Sequence, residues 1–309
     1  MNFEVLINCS FLDVNDNQDE SLIKNKHVLS IINDFEDGKW RSSKFHNFIW
    51  DNIAETGLSY KERESLVSQS QSQLVESAKN LRLTDKLKDI SKGSELAEIL
   101  LYGIMKHHYG ALPVVPKIFY KQNSQDNAKG ADSVHIVIED NNDFSIWFGE
   151  AKFYNSIEDA RLNKIIDSVS ESLRTDKLKK ENSIITNVCD IDEFSISEKL
   201  KITIKEALDN KESIDSLKSR INIPILILHE CGITNTIKEL TQEYKDNIIK
   251  YHRERANSYF KKQIKKLGSI FKYSDIKFHI ILFPIPQKEP IINKFISTVE
   301  FYKEQSKND

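Results

Sequence analysis

The chain has 309 residues, of which 39% are hydrophobic and 29% charged, and its formal net charge is −3. These values are ordinary for a water-soluble globular protein and allow one large domain or two smaller ones. They exclude binding of nucleic acid through an overall basic charge, so any such surface must be local.

The three cysteines, Cys9, Cys189 and Cys231, lie far apart and form no CxxC pair. This spacing argues against a zinc ribbon and against a disulfide framework. The first ten residues lack the basic and apolar regions of a secretory signal. No apolar run reaches the roughly 18 residues that a membrane-spanning helix needs. We therefore expect a cytoplasmic protein without a membrane partner.

The first 90 residues predict a mainly helical region that follows one short strand. The predicted elements are a strand over residues 3–7, a polar break over 13–19 and helices over 21–35 and 43–55. A long polar helix is expected to begin at Ser59, because Ser59-Tyr-Lys-Glu62 has the pattern of a capping box. This region carries no chemical motif, so we predict that residues 1–90 form an interface with a partner.

From residue 91 onward, predicted strands alternate with predicted helices. The elements, in chain order, are a helix over residues 94–108, strands over 114–120, 132–139 and 144–153, a helix over 157–174, a strand over 223–229, a helix over 236–267, a strand over 278–283 and a helix over 290–303. Residues 175–220 are polar with weak helical signals, which is typical of an insertion or a peripheral subdomain. The order predicts an α/β fold with a mixed β-sheet flanked by helices.

Three ionisable residues mark the ends of the second and third strands of this series. Asp132 begins one strand, and Glu150-Ala151-Lys152 ends the next, 18 positions after Asp132. In an antiparallel pair, the start of the first strand lies beside the end of the second. Because side chains alternate along a strand, Glu150 and Lys152 share one face and Ala151 points to the other. The sequence therefore predicts that Asp132, Glu150 and Lys152 converge at one edge of the sheet.

This combination suits a hard divalent cation. Two carboxylates at close range repel each other unless a cation lies between them. Mg²⁺ would be held by Asp132 and Glu150 together with water and a substrate phosphate, and we expect Mn²⁺ to substitute for it. Lys152 would orient or deprotonate the attacking water, or stabilise the charge that develops on the phosphate. A further carboxylate is expected from the helix over residues 94–108. Glu98 is favoured because its neighbours are apolar.

The order of a helix with glutamate, a GAD segment (residues 130–132) and a GEAK segment (residues 149–152) resembles the PD-(D/E)xK nuclease superfamily. Ala131 stands where the motif's name has proline, but the ligand Asp132 is present. The resemblance implies a restriction-endonuclease-like fold for residues 91–309, with residues 175–220 as an insertion. The catalytic residues that it implies are Asp132, Glu150, Lys152 and Glu98. The implied metal ligands are Asp132, Glu150, Glu98 and Ala151, with Glu95 as an additional candidate acid.

A second resemblance covers the whole chain. The sequence is similar to HamA, the family of nuclease subunits of the Hachiman antiphage defence system. The similar segments are GSELAEILLY (93–102), KGAD (129–132), WFGEAKFY (147–154) and HIILFPIPQKEPIINKF (279–295). This resemblance implies a DNA endonuclease of low sequence specificity that degrades DNA as a defence effector. It also implies a partner, a HamB-type superfamily-2 helicase, which restrains the nuclease until foreign or damaged DNA is sensed.

Positive charge is concentrated in residues 244–277, which hold ten Lys or Arg against three Asp or Glu, with aromatic residues between them. Such a segment would follow a phosphate backbone or stack on bases. An amphipathic helix with its aromatic side chains in the core explains the pattern equally well. The candidate DNA contacts are Lys121, Lys129, Lys164, Lys261, Lys262, Lys265 and Lys266. No base-reading motif is present, which predicts little sequence specificity.

Other classes of function find no support in the sequence. There is no GxxxxGK[ST] segment for nucleotide binding and no GxSxG segment for acyl transfer. Two alternatives to a DNA endonuclease stay open. One is a subunit with a nuclease fold that binds DNA or the helicase without cleaving. The other is a ribonuclease of the same fold, because the same metal chemistry acts on either phosphodiester backbone.

Overall fold

The computed structural model describes residues 3–11, 20–83, 93–120, 130–140, 143–188, 191–209 and 211–306. The strands are β1 (Glu4–Ser10), β2 (Lys26–Ile32), β3 (Phe35–Glu36), β4 (Lys39–Trp40), β5 (Leu112–Val115), β6 (Ser133–Glu139), β7 (Asp143–Tyr154), β8 (Ile221–Glu230) and β9 (Lys277–Ile285). The helices up to the polar segment are α1 (Glu20–Ile23), α2 (Ser42–Asn52), α3 (Ala54–Gly57), α4 (Tyr60–Ser65), α5 (Ser70–Lys79), α6 (Ser94–Tyr109), α7 (Lys117–Tyr120) and α8 (Asp159–Ser172). The later helices are α9 (Thr175–Val188), α10 (Glu198–Ala207), α11 (Ile214–Leu217), α12 (Gly232–Thr236), α13 (Gln242–Leu267) and α14 (Lys288–Gln305).

Seven strands form one sheet in the order β1-β2-β9-β8-β7-β6-β5, and β3 and β4 form a separate pair. The four strands β2, β9, β8 and β7 run parallel to one another. At one edge β1 is antiparallel to β2, and at the other edge β6 and β5 form an antiparallel series with β7. The predicted mixed α/β class is confirmed. The narrower restriction-endonuclease-like assignment stays a prediction.

The helix predicted over residues 21–35 is wrong. The chain forms only the short helix α1 there and then enters β2, which pairs with β1 on one side and with β9 on the other. Val28 packs on one face of the sheet, whereas Leu29 and Ile31 pack on the other. A run that is apolar on both faces fits helical spacing as well as a buried strand. The central sheet thus extends across residue 90, and the functional boundary placed there stays a prediction.

The capping box predicted at Ser59 is present. The Ser59 side chain accepts the Glu62 backbone N–H, and the Glu62 carboxylate accepts the Ser59 N–H at 2.8 Å. The helix that it begins, α4, is shorter than the long helix we predicted, because the chain turns before α5. The strand predicted over residues 114–120 ends at Val115 and continues as α7. The polar break predicted over residues 13–19 lies outside the described residues.

Helices cover both faces of the central sheet. On the face that we call the α6 face, α2, α6 and α14 pack against side chains such as Ala151 and Phe153 of β7. On the opposite face, the α8 face, α8 and α13 pack against Phe148 of β7 and its neighbours. The polar segment also contributes to this core, since Leu178 of α9 and Leu200 of α10 are buried in it. None of the described helices has the length and apolar character needed to cross a bilayer.

Helix α6 approaches α2 closely at Gly103. A Cβ atom at this position would lie 2.6 Å from Phe48 Cε1 and 3.0 Å from Asn52 Cγ. We expect Gly103→Ala to destabilise the protein by about 1–3 kcal/mol through overpacking, although alanine favours a helix by about 1 kcal/mol. Denaturant unfolding measures the change, with Gly232→Ala as the control, because a Cβ there would contact nothing within 4 Å. A gain in stability for Gly103→Ala would contradict this packing.

Candidate active site

The antiparallel pair β6 and β7 places Asp132 beside the end of β7. Ser133 is opposite Gly149 in the register of the two strands, and the Asp132 N–H donates to the Gly149 carbonyl at 2.8 Å. Ser133 is the first residue of β6, whereas β7 continues past Gly149 to Tyr154 beside β8. The Asp132 carboxylate accepts the Ala151 N–H at 3.0 Å. The Asp132 side chain therefore accepts the Ala151 N–H in place of a backbone carbonyl of a longer β6.

Three ionisable side chains meet beside the first residue of β6. The Lys152 ammonium contacts a carboxylate oxygen of Glu150 and lies 3.6 Å from Asp132 Oδ2. Ala151 points to the α6 face, where it is buried. The predicted convergence of Asp132, Glu150 and Lys152 is therefore what the structure shows, and it follows from strand alternation and antiparallel pairing. The catalytic and metal-binding roles of these residues stay predictions.

Burial and charge perturb both partners of the closest pair. Glu150 is 7% exposed, and burial, reinforced by the charge of Asp132, raises the pKa of its carboxyl group. The Lys152 ammonium and the Ser168 hydroxyl, which donates to Glu150, act in the opposite direction. Burial by itself lowers the pKa of Lys152, but the charges of Asp132 and Glu150 outweigh it and raise that pKa above its usual value. Lys152 is therefore the resident cation between two acids.

The donor set fits a magnesium ion that solvent and substrate complete. Carboxylate oxygens are ligands that Mg²⁺ prefers, and this ion usually keeps several waters besides one or two protein carboxylates. Asp132 and Glu150 face a single cation position, which the Lys152 ammonium occupies. Within the described parts of the chain, no three His, Cys, Asp or Glu side chains are grouped to hold a metal. The structure thus brings together two carboxylates, and metal binding by this two-carboxylate site stays a prediction.

The two acids predicted on α6 differ in their surroundings. Glu95 accepts the backbone N–H groups of Arg82 and Leu83 at 2.8 and 3.0 Å, which gives it a structural role before α6. Glu98 is buried on the helix that covers the α6 face. Glu150 and Lys152 lie on the other face of the sheet, so the contribution of Glu98 to the site stays a prediction. Glu98 stays the favoured candidate for the further carboxylate.

One face of α8 runs from Glu150 toward open solvent. Ser168 donates to Glu150, and the Arg161 guanidinium lies 5.4 Å from the centre of the Tyr154 ring. Lys164 is exposed between them on the same helix. Residues three and four apart on a helix share a face. The predicted phosphate contact Lys164 is therefore accompanied by Arg161, whereas Lys121 and Lys129 lie outside the described residues.

Two of the basic residues predicted as DNA contacts on α13 form ion pairs within the protein. The Lys262 ammonium lies 2.9 Å from Asp159 Oδ2 of α8, and the Lys266 ammonium forms an ion pair with Asp167 of α8. Lys261 is half-buried and Lys265 is exposed. The aromatic residues between the charges are mostly in the core, since Tyr259, Phe260 and Tyr273 are buried, whereas Phe271 is exposed. The amphipathic-helix interpretation therefore explains most of this segment.

Glu181 was not predicted as a site residue from the sequence. This residue of α9 is buried, accepts the Ala131 N–H at 2.9 Å and pairs with Lys117 of α7 at 2.7 Å. One signal was available, because the buried residues Leu178 and Ile185 flank Glu181 at helical spacing. A cavity of about 220 Å³ lies between α9 and Glu150. Its polar lining residues are Glu150, Ser168, Glu171, Ser172, Lys177 and Glu181.

Comparison with known proteins identifies the family. No curated protein matches the chain. The family model described as HamA matches residues 7–299. This range begins within β1 and ends within α14, and it includes Asp132, Glu150 and Lys152. The chain therefore belongs to the HamA family.

Proposed function

We propose that the chain is a metal-dependent DNA endonuclease of the PD-(D/E)xK type that acts in Hachiman antiphage defence. The observation that carries the proposal is the convergence of Asp132 and Glu150 on one cation position, with Lys152 between them. Membership in the HamA family supports the same assignment. The site lies beside the first residue of β6 in a mixed sheet. This position is compatible with a restriction-endonuclease-like arrangement.

Asp132 and Glu150 would hold Mg²⁺, with Mn²⁺ as a substitute. When bound, the ion neutralises charge on the phosphate and lowers the pKa of a coordinated water. The Ala151 N–H orients the Asp132 carboxylate, and the Ser168 hydroxyl orients that of Glu150. Each acid is thus held by a hydrogen-bond donor of its own.

Lys152 acts as a charged donor in this proposal. Its raised pKa keeps the side chain protonated at neutral pH while the two carboxylates face it. A protonated amine cannot deprotonate water, but it stabilises negative charge that develops on the phosphate. Of the roles that the sequence left open, the structure therefore favours charge stabilisation and orientation over general-base catalysis.

The DNA backbone would follow the exposed face of α8. We expect Lys164→Ala to weaken DNA binding and to lower the slope of log affinity against log salt by about one. Lys266→Ala is the matched comparison and should have a smaller effect, because Lys266 already pairs with Asp167. Fluorescence anisotropy with duplex DNA in the absence of Mg²⁺, over a series of salt concentrations, measures both slopes. Equal slopes for the two variants would contradict this path.

A nuclease assay of the isolated chain tests the proposed activity. Duplex DNA and RNA are incubated side by side with the protein in Mg²⁺, in Mn²⁺ and in EDTA. The proposal predicts cleavage of DNA that requires the metal ion. Cleavage of RNA alone would identify the ribonuclease alternative. Intact DNA and RNA under all conditions would favour the non-cleaving scaffold.

A HamB-type superfamily-2 helicase is the partner that the family suggests, and residues 1–90 are its proposed contact. Deleting these residues would not test the contact, because the deletion removes β1 and β2 from the central sheet. Co-purification of the full chain with a helicase encoded beside it is the suitable experiment. A stable complex that suppresses DNA cleavage is the expected result.

A further inference from the structure

A buried ion pair lies directly behind the segment that carries Asp132. Lys117 of α7 and Glu181 of α9 are both buried, and their charged atoms are 2.7 Å apart. The two residues are 64 positions apart in the chain. The pair therefore joins the end of β5 to the polar segment, two parts that the sequence alone does not connect.

Glu181 uses its second carboxylate oxygen to hold the backbone. Its Oε1 accepts the Ala131 N–H at 2.9 Å, one residue before Asp132. The contact is so close that a Cβ atom on Gly130 would lie 1.6 Å from the same oxygen. On the other side, the Asp132 N–H donates to Gly149 of β7 at 2.8 Å. The residues that lead into Asp132 are thus held between α9 and β7.

The buried pair of Lys117 and Glu181 is not explained by a gain in folding stability. Taking two charges out of water is costly, and replacing a buried ion pair by apolar residues of similar volume is often neutral or stabilising. Here the pair also fixes a carboxylate whose other oxygen accepts a backbone N–H beside the site. A charged acceptor held in one orientation makes a stronger hydrogen bond than a neutral one. The geometry therefore favours a role in positioning.

We infer that Glu181 and Lys117 are positioning residues for Asp132, so that α9 of the polar segment is a supporting part of the active site. The effect on catalysis rests on the proposed nuclease function. The effect on affinity for divalent cations rests on the proposed metal site, and the effect on the backbone at Ala131 rests on neither. Without the Glu181 carboxylate, the Ala131 N–H loses its acceptor. The backbone before Asp132 then gains freedom, and the Asp132 carboxylate no longer keeps its position relative to Glu150.

Two double variants isolate the backbone hydrogen bond from the ion pair. Lys117→Met with Glu181→Gln removes both charges but retains an oxygen for the Ala131 N–H. Lys117→Met with Glu181→Met also removes both charges and leaves no acceptor, at nearly the same side-chain volume. Ile204→Ala in α10 is the control for general destabilisation, since Ile204 is buried in the same polar segment.

Three measurements on the full chain compare these variants. They are hydrogen exchange at the Ala131 amide, Mn²⁺ affinity by calorimetry, and the Mg²⁺ concentration that gives half-maximal cleavage. We expect the variant without the acceptor to show faster exchange and a Mg²⁺ requirement about 10–100-fold higher, because small misplacements of catalytic groups have effects of this size. The glutamine variant should lie between the wild type and the methionine variant, because it keeps an acceptor but lacks the charge and the contact with Lys117. Ile204→Ala should stay near the wild type in all three measurements.

Similar exchange and cation affinity for the methionine and glutamine variants would overturn the inference. A comparable loss of cation affinity in Ile204→Ala would also overturn it, because the effect would then reflect stability alone. If the wild type does not cleave DNA, the proposed function fails. Exchange at the Ala131 amide then still decides whether Glu181 holds the backbone beside Asp132.

Discussion

Replacing Glu150 by glutamine is expected to abolish DNA cleavage without unfolding the protein. The amide has the same shape but cannot provide the negative charge that a divalent cation needs. The loss should reach about 10³-fold or more, which corresponds to several kcal/mol of transition-state stabilisation. Stability should be unchanged or higher, because burial opposes ionisation of Glu150 and raises its pKa. Active sites often carry destabilising groups of this kind.

Cleavage rate and melting temperature of the same preparation provide the comparison. Glu171→Gln is the matched control, because Glu171 lines the same cavity but is an exposed partner of Arg174. We expect it to cleave at close to the wild-type rate. Cleavage by Glu150→Gln at the wild-type rate, or an equal loss in Glu171→Gln, would contradict the role assigned to Glu150.

Replacing Lys152 by methionine should separate cation binding from cleavage. In the wild type, the ammonium lies between Asp132 and Glu150 and offsets part of their negative charge, so a divalent cation has to displace it. Without the ammonium this competition disappears, and we expect Mg²⁺ to bind the variant at least as tightly as the wild type. Cleavage should nevertheless fall by about 10²–10³-fold, since the charged donor to the phosphate is absent. Calorimetric titration and a cleavage assay measure the two quantities.

The same variant should show a characteristic dependence of stability on pH. Glu150 has a raised pKa in the folded state, so its contribution to stability is present at low pH and is lost as pH rises through that pKa. Removing the attraction of Lys152 raises this pKa further. Lys152 itself has a raised pKa, so its charge does not change between pH 4 and pH 8. Without Mg²⁺, the variant should therefore lose stability relative to the wild type as pH rises.

Melting temperatures between pH 4 and pH 8, with and without Mg²⁺, test this dependence. The difference between wild type and Lys152→Met should be small at acidic pH, should grow toward neutral pH and should shrink when Mg²⁺ is added. A constant difference that Mg²⁺ does not change would show that Lys152 does not act on the two acids. Weaker Mg²⁺ binding by the variant would oppose the competition argument.

The central part of the site could be predicted from the sequence because it depends on local rules. Antiparallel pairing places Asp132 beside Gly149, and strand alternation puts Glu150 and Lys152 on one face. Both rules act within a hairpin of neighbouring strands. The cap at Ser59 was predictable for the same reason, because its partner is three residues away. None of these features needs information about the rest of the fold.

The features that were missed depend on distant contacts. Strand β2 was assigned to a helix because apolar residues of this segment recur at helical spacing. These residues are Leu22, Ile23, Leu29, Ile32 and Phe35. Pairing of β2 with β1 and β9 decides in favour of a strand. Glu181 contacts Ala131 across 50 positions of sequence, from a segment whose polarity suggested a peripheral insertion. Its burial follows from packing of α9 on the core. The spacing of Leu178 and Ile185 predicts a buried face on α9, but no local pattern indicates that Glu181 contacts Ala131.

Anomalous diffraction from crystals soaked in Mn²⁺ tests the central claim most directly. The two-carboxylate site predicts a manganese peak between the carboxylates of Asp132 and Glu150, with the Lys152 ammonium displaced from its present position. A peak at other residues, or no peak at a Mn²⁺ concentration that supports cleavage, would contradict the assignment.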